Sequence, residues 1–117
     1  MEGSTHYEKD GRPWGLYERF TLNEPSTVKI ITVNAHEAFS LQTHANREEF
    51  WHIISGEANV TVGEEMHDAK PGNNFFIRKG TQHRMEAKEA PCVFLEIAYG
   101  EFDEHDIIRL KDNYGRS

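Results

Sequence analysis

The sequence has a single cysteine, Cys92, so it can hold no intrachain disulfide framework and no cysteine-cluster zinc finger. One cysteine suits a reducing compartment, and within the run Cys92 to Leu95 its plain reading is a small buried hydrophobe. No apolar run approaches the roughly 18 to 20 residues that a spanning helix needs, and the N-terminus lacks the apolar core of a secretory signal. The expectation is a soluble, cytoplasmic protein with no membrane partner. Basic charge is also short: 13 Lys and Arg stand against 20 Asp and Glu, a formal net charge of -7. No global basic field gathers nucleic acid, so a primary DNA- or RNA-binding role is disfavoured. Helical periodicity is nearly absent, and no internal repeat or low-complexity segment is found.

What is present is one domain's worth of chain. At 117 residues it can bury roughly two thirds of its unfolded surface, enough for a single core. Residues 1–11 are polar and aperiodic and are expected to form an extended arm or a partly disordered tail. From Arg12 to Ser117, short apolar stretches alternate with turn residues every 8 to 12 positions or so, the pattern of a sandwich or barrel of short strands. Expected strands are Thr27 to Asn34, Glu49 to Ser55, Glu57 to Val62, Phe75 to Arg78, Gln82 to Ala87 and Cys92 to Tyr99. Gly56, Gly63-Glu64, Pro71-Gly72 and Lys79-Gly80 punctuate them. Asp103 to Asp112 is expected to form one or two helical turns around Ile107, Ile108 and Leu110. The fold class expected is all-β, a double-sheet jelly roll whose closure hides most sheet edges.

Seven histidines require selection by position. Gln42 and His44 are two apart, so on a strand both leave the same face and can converge on one point. A bend at Ala45 to Glu48 returns the chain, and Glu49 at the head of the next strand can face the same interior. Gly80-Thr81-Gln82-His83 delivers a further imidazole at the start of a strand. Imidazole, amide oxygen and carboxylate together suit a borderline divalent metal, with positions left open for water or substrate. The plain alternative is that Gln42 and His44 are surface polar residues, Glu49 a solvated charge and His83 a turn histidine. Spacing alone leaves both open.

Gln42-x-His44-x4-Glu49-x6-Gly56, followed by Gly72-x10-His83, resembles the two cupin motifs, with Gln in place of the first histidine of His-x-His. Arg12-Pro13-Trp14-Gly15-x-Tyr17, Ser40-Leu41-Gln42-x-His44, Arg47, Glu49, Trp51, Ser55-Gly56-x-Ala58-x-Val60 and Gly80-x-x-His83-Arg84 resemble, more narrowly, the type II mannose-6-phosphate isomerases. The ending agrees: Asp106-Ile107-Ile108-Arg109-Leu110-x-Asp112-x-Tyr114-Gly115-Arg116 is similar to that family's closing segment. In that family the cupin is often the C-terminal part of a bifunctional enzyme with a mannose-1-phosphate guanylyltransferase domain. The departures are Ala45 and Asn46 after His44, Phe50 between Glu49 and Trp51, Arg78 for a loop proline, and Ala87 for an asparagine. The family commonly has histidine at the first three of those positions.

The resemblance implies a jelly-roll barrel with Gln42, His44, Glu49 and His83 around a divalent metal, zinc first, with Mn, Fe, Co or Ni as alternatives. It implies conversion of mannose 6-phosphate to fructose 6-phosphate, an aldose to ketose isomerisation. Arg47 and Glu49 are the catalytic candidates; Arg47, Lys79, Arg84, Arg109 and Trp51 are the substrate-binding candidates, with Arg47 forking onto phosphate oxygens. Glu48, Glu96, His52 or a metal-bound hydroxide are candidate proton carriers, although parity puts His52 opposite to Glu49. Core packing is the expectation for Trp51, and capping of the barrel for Trp14. The partners implied are a small-molecule sugar phosphate and a second copy, in a homodimer. The competing reading is a non-catalytic metal-binding cupin that binds a sugar or sugar phosphate as a sensor or accessory subunit. Oxygenation ranks last, because an amide in the ligand set matches it poorly.

Overall fold

The computed structural model describes residues 6–111. Eleven strands run through it: β1 Glu8–Arg12, β2 Gly15–Arg19, β3 Ser26–Val33, β4 Leu41–Thr43, β5 Glu48–Ser55, β6 Ala58–Val62, β7 Glu65–Ala69, β8 Asn74–Ile77, β9 His83–Ala87, β10 Cys92–Tyr99 and β11 Ile108–Lys111. No helix occurs among the described residues. A four-stranded sheet in the order β3-β10-β5-β8 faces a five-stranded sheet in the order β11-β4-β9-β6-β7, and β1-β2 form a separate hairpin. All pairings are antiparallel. This is the jelly-roll architecture expected from the short, turn-punctuated apolar stretches.

Alternation decides which face each strand buries. On β5, Glu49, Trp51 and Ile53 point inward, and on β10 Cys92, Phe94 and Glu96 do so. The core between the sheets gathers Trp51, Ile53, Ala58, Val60, Met85, Cys92 and Phe94, each fully buried. Burying side chains of the larger sizes among these contributes roughly 1.5 to 3 kcal/mol apiece. The opposite parity of β5 and β10 builds a second cluster on the outer face, where Phe50, Ile97 and Tyr99 pack with Tyr7, Phe20, Phe76 and Leu95. Tyr7 stacks on Phe50 at 5.3 Å between ring centroids, and the Tyr99 hydroxyl donates to the Phe20 carbonyl at 2.8 Å. The N-terminal hairpin is thereby fastened at its base.

The turn between β5 and β6 admits only glycine. Gly56 has φ +78°, and a Cβ there would lie 2.2 Å from the Pro91 carbonyl oxygen.

Glu8 to Gly11 of the expected arm are extended in β1 and paired with β2, while residues 1–5 lie outside the described residues. Two expectations change. Asp103 to Lys111 turn once and then extend as β11 instead of winding into a helical turn, because Ile108 and Arg109 pair with Thr43 and Gln42; Asp112 lies outside the described residues. Trp14 does not cap the barrel: it sits in the β1-β2 turn with 75% of its surface exposed.

Candidate metal centre

The site is assembled at one end of the barrel from both sheets. Gln42 of β4 is paired directly with His83 of β9, so their side chains leave the same face of the five-stranded sheet. His44 follows in the turn after β4, and Glu49 enters from β5 of the opposite sheet. Gly80 ties the loops together, its N–H donating to the His44 carbonyl at 2.8 Å.

His44, Glu49 and His83 are buried, and one donor atom from each lies within 4.8 Å of the others. His44 Nε2 is 3.5 Å from Glu49 Oε2, and His83 Nε2 is 3.8 Å from Glu49 Oε1. Ligands about 2.0 to 2.2 Å from a common cation are separated from one another by roughly 3 to 4 Å, so the spacing fits. The Gln42 amide joins them, its Nε2 3.3 Å from His44 Nε2 and its Oε1 accepting from the Ser40 hydroxyl at 2.7 Å. Both imidazoles are oriented from behind. The His83 Nδ1 faces the Thr81 carbonyl at 2.9 Å, and the His44 Nδ1 faces the Asp106 carbonyl at 2.6 Å. Each Nδ1 therefore carries the proton and each Nε2 presents its lone pair to the centre.

Burial lowers the pKa of both histidines, with the charge of Glu49 opposing it, so both are held in the neutral form that ligates metals. The His83 Nε2 is buried and makes no hydrogen bond. A buried lone pair aimed at a carboxylate and a second imidazole nitrogen is the mark of a position built for a cation. The residues present fit a divalent metal.

The other expected residues divide. Trp51 has no exposed surface; its indole N–H donates to Glu49 Oε1 at 3.1 Å, so it orients Glu49 and cannot stack on a sugar. Arg84 leaves β9 on the side opposite to His83 and donates to the Phe39 carbonyl at 2.9 Å, which removes it from the site. Arg109 is paired across β11 with Gln42 and so shares the row of Gln42 and His83. Lys79 is exposed in the turn beside Gly80, at the rim. Arg47 is buried, donating through Nε to Glu49 Oε2 at 2.8 Å and approaching His44 Nε2 through Nη2 at 3.1 Å; it lies inside the donor cluster rather than at its mouth. Glu48 and His52 share the outer parity of Phe50, and His52 bonds Asn74 there.

Glu96 sits on the inner face of β10, opposite Trp51 and Lys29. Burial first, and then the charge of Glu49, push its carboxyl up to about 7 against the pull of Lys29 and Arg47. Lys29, Phe102 and Asp106 were not among the site residues expected from sequence. The Asp106 carboxylate accepts from the Ala45 and Asn46 amides at 2.8 and 2.9 Å, locking the turn that carries His44. Its place in the closing Asp106-Ile107-Ile108-Arg109 segment was the available signal.

A closed double-sheet barrel with histidine, carboxylate and amide donors converging at one end defines a cupin with a metal-type centre. The model of the family described as "Mannose-6-phosphate isomerase C-terminal" matches residues 2–112, and the chain belongs to that family. The xanthan biosynthesis protein XanB of Xanthomonas campestris pv. campestris is 36% identical over 116 residues, which cover 97% of this chain and 25% of that one. The mannose-1-phosphate guanylyltransferase ManC of Salmonella typhimurium is 35% identical over 107 residues, covering 90% of this chain and 22% of that one. The chain thus spans about a quarter of the length of these relatives. Among solved structures, a cupin protein from Bacteroides fragilis superposes with a TM-score of 0.60 at 22% identity, covering 73% of this chain and 76% of that chain, and supports the fold alone. No helix among the described residues is long and apolar enough to cross a membrane.

Proposed function

We propose that the chain is a metal-dependent sugar-phosphate isomerase that converts mannose 6-phosphate to fructose 6-phosphate. The observation that carries the reading is the buried, unbonded His83 Nε2 facing Glu49, in a chain whose family is that of mannose-6-phosphate isomerase. Gln42, His44, Glu49 and His83 would hold the ion. When bound, it would polarise the substrate carbonyl and offset the negative charge that develops on the enediol oxygens.

The chain's own residues supply the rest. Glu96 is a buried inner-face carboxylate outside the ligand set, and we assign it the proton that leaves C2 and returns to C1, while the O2 hydroxyl proton passes to O1. Lys29, on β3, faces Glu96 across the β3-β10 pairing and lies over the Phe102 ring, where its charge favours the carboxylate that takes the proton from C2 and is restored when the proton reaches C1. Trp51 and the His44 and His83 backbone contacts fix ligand orientation. Arg109, in the Gln42 row, and Lys79, at the rim, are the cations assigned to the phosphate.

The non-catalytic reading drew its support from histidines absent at Ala45, Asn46 and Phe50. Phe50 lies in the outer-face cluster, away from the donors, while Ala45 and Asn46 are exposed in the turn between His44 and Arg47. A coupled assay of the metal-loaded chain for fructose 6-phosphate formation tests the proposal. Turnover should be present and should fall at least a hundredfold in kcat in Glu96→Gln with the metal retained. Bound metal with no turnover in the unaltered chain would favour the sensor or accessory reading.

A further inference from the structure

We propose that Arg47 is the resident cation of the donor cluster in the metal-free chain, and that a divalent ion binds by expelling its guanidinium from His44 and Glu49. The inference rests on the reading of Gln42, His44, Glu49 and His83 as a metal centre, and it concerns how that centre is loaded.

The argument starts from the lone pairs of one imidazole. The partner of His44 Nδ1, at 2.6 Å, is the Asp106 carbonyl oxygen, which only accepts. Nδ1 therefore bears the proton, and Nε2 has a single in-plane lone pair. Two donors converge on it, Arg47 Nη2 at 3.1 Å and Gln42 Nε2 at 3.3 Å. An ion that takes His44 as a ligand needs that same lone pair, so both donors must leave.

They differ in how they can do so. Gln42 has an acceptor as well as a donor: a half turn of its amide brings Oε1 to the centre and offers the NH₂ group to the Ser40 hydroxyl, which can accept as readily as it donates. Arg47 has no acceptor. Whichever way its fork turns, it presents N–H groups and a positive charge to the place the ion would occupy. Its Nε also satisfies Glu49 Oε2, at 2.8 Å, so the carboxylate is already neutralised by a built-in cation before any metal arrives. The exit is prepared, because Cζ lies 4.5 Å from the centre of the Phe102 ring and Nη1 reaches the Asp103 carbonyl at 3.3 Å. Sliding across Phe102 moves the charge toward the segment that precedes β11 without leaving it unpartnered. Arg47 is thus a competitor for the site and sets its affinity.

Titration with Co²⁺, read by its visible absorption bands and by competition with a chelator, separates this from a merely structural ion pair. Arg47→Met keeps length and can rest on Phe102 while removing charge and donors. It should bind Co²⁺ at least tenfold more tightly than the unaltered chain, whereas Arg47→Lys, which keeps the charge, should stay within about threefold of it. Tighter binding in Arg47→Met, or binding in that variant alone, supports the proposal. Equal or weaker binding in a folded Arg47→Met overturns it while leaving the metal centre standing. Absence of binding in all three overturns the metal centre and this inference together. The unaltered chain gives a readout independent of any variant: the Arg47 side-chain N–H resonance should shift and exchange faster with solvent at saturating Zn²⁺. An unchanged resonance at saturation contradicts displacement.

Discussion

The two halves of the barrel interior are built from the same strands and obey opposite rules. Along β5 the inward side chains run Glu49, Trp51, Ile53; along β9 they run His83, Met85, Ala87; and along β10 they run Cys92, Phe94, Glu96. Each strand is apolar toward one end of the barrel and carries an ionisable or polar group toward the other. In the apolar half every buried atom adds to stability through burial and close packing. In the other half, carboxylates, imidazoles and a guanidinium have been taken out of water and are held by one another, by backbone carbonyls and by the Trp51 indole, an arrangement whose desolvation cost rivals its attraction. The fold's stability lies in the first half, and the second half gathers the donor groups at a cost to it.

The largest expected effect lies in the apolar half. Phe94, fully buried between Trp51 and Phe39, should lose about 3 to 5 kcal/mol of stability in Phe94→Ala, measured by denaturant unfolding. A loss under about 1 kcal/mol would show that the core closes over the gap and that the contrast between the halves is weaker than described.

A substitution in the polar half should move the other way. The Glu96 carboxyl is held at about 7 in the folded chain, above the ordinary glutamate value of 4.5. Between those values the folded state binds more protons than the unfolded state, so this group's contribution to stability falls as pH rises from 4.5 through 7 and is lowest above it. Glutamine stays neutral throughout. Metal-free Glu96→Gln should therefore be more stable than the unaltered chain at pH 8 by about 3 kcal/mol, with the difference shrinking toward pH 4. His44 and His83 act in the opposite sense, since their lowered values favour the folded state only while they remain neutral and that benefit is lost as pH falls below 6.5. They are common to both chains and cancel in the comparison. A difference independent of pH would remove the protonation argument. Loss of turnover together with gain in stability in this one variant would sharpen the division between the halves.

The apolar half was the more legible from sequence. Alternation and turn glycines place β5, β6, β9 and β10 within a residue or so of where they lie, because each strand has one buried face and the pattern records it. The strands that were missed have no such record. β1, Glu8 to Arg12, and β7, Glu65 to Ala69, are mostly polar and are held by hairpin pairing with β2 and β6. For β11, the spacing of Ile107, Ile108 and Leu110 suits a helix as well as a strand, and only pairing with β4, some 65 residues earlier in the chain, decides it. In the polar half, the ligand candidates were legible because their donor chemistry is unusual and their spacing is strand-like. Their supports were not: Asp106 meets His44 across 62 residues, and Lys29 meets Glu96 only through the register of β3 with β10. The inward turn of Arg47 is likewise a consequence of the buried Glu49 carboxylate, which no spacing rule reports.

The central claim is that four side chains from three strands and a turn share one cation. Anomalous X-ray diffraction at the zinc edge, from crystals grown with excess Zn²⁺, measures this directly. The account requires a single strong peak within bonding distance of Gln42, His44, Glu49 and His83, absent from crystals of His83→Ala. A peak that survives in His83→Ala at full height, or a saturated crystal of the unaltered chain with no peak among these residues, would contradict it.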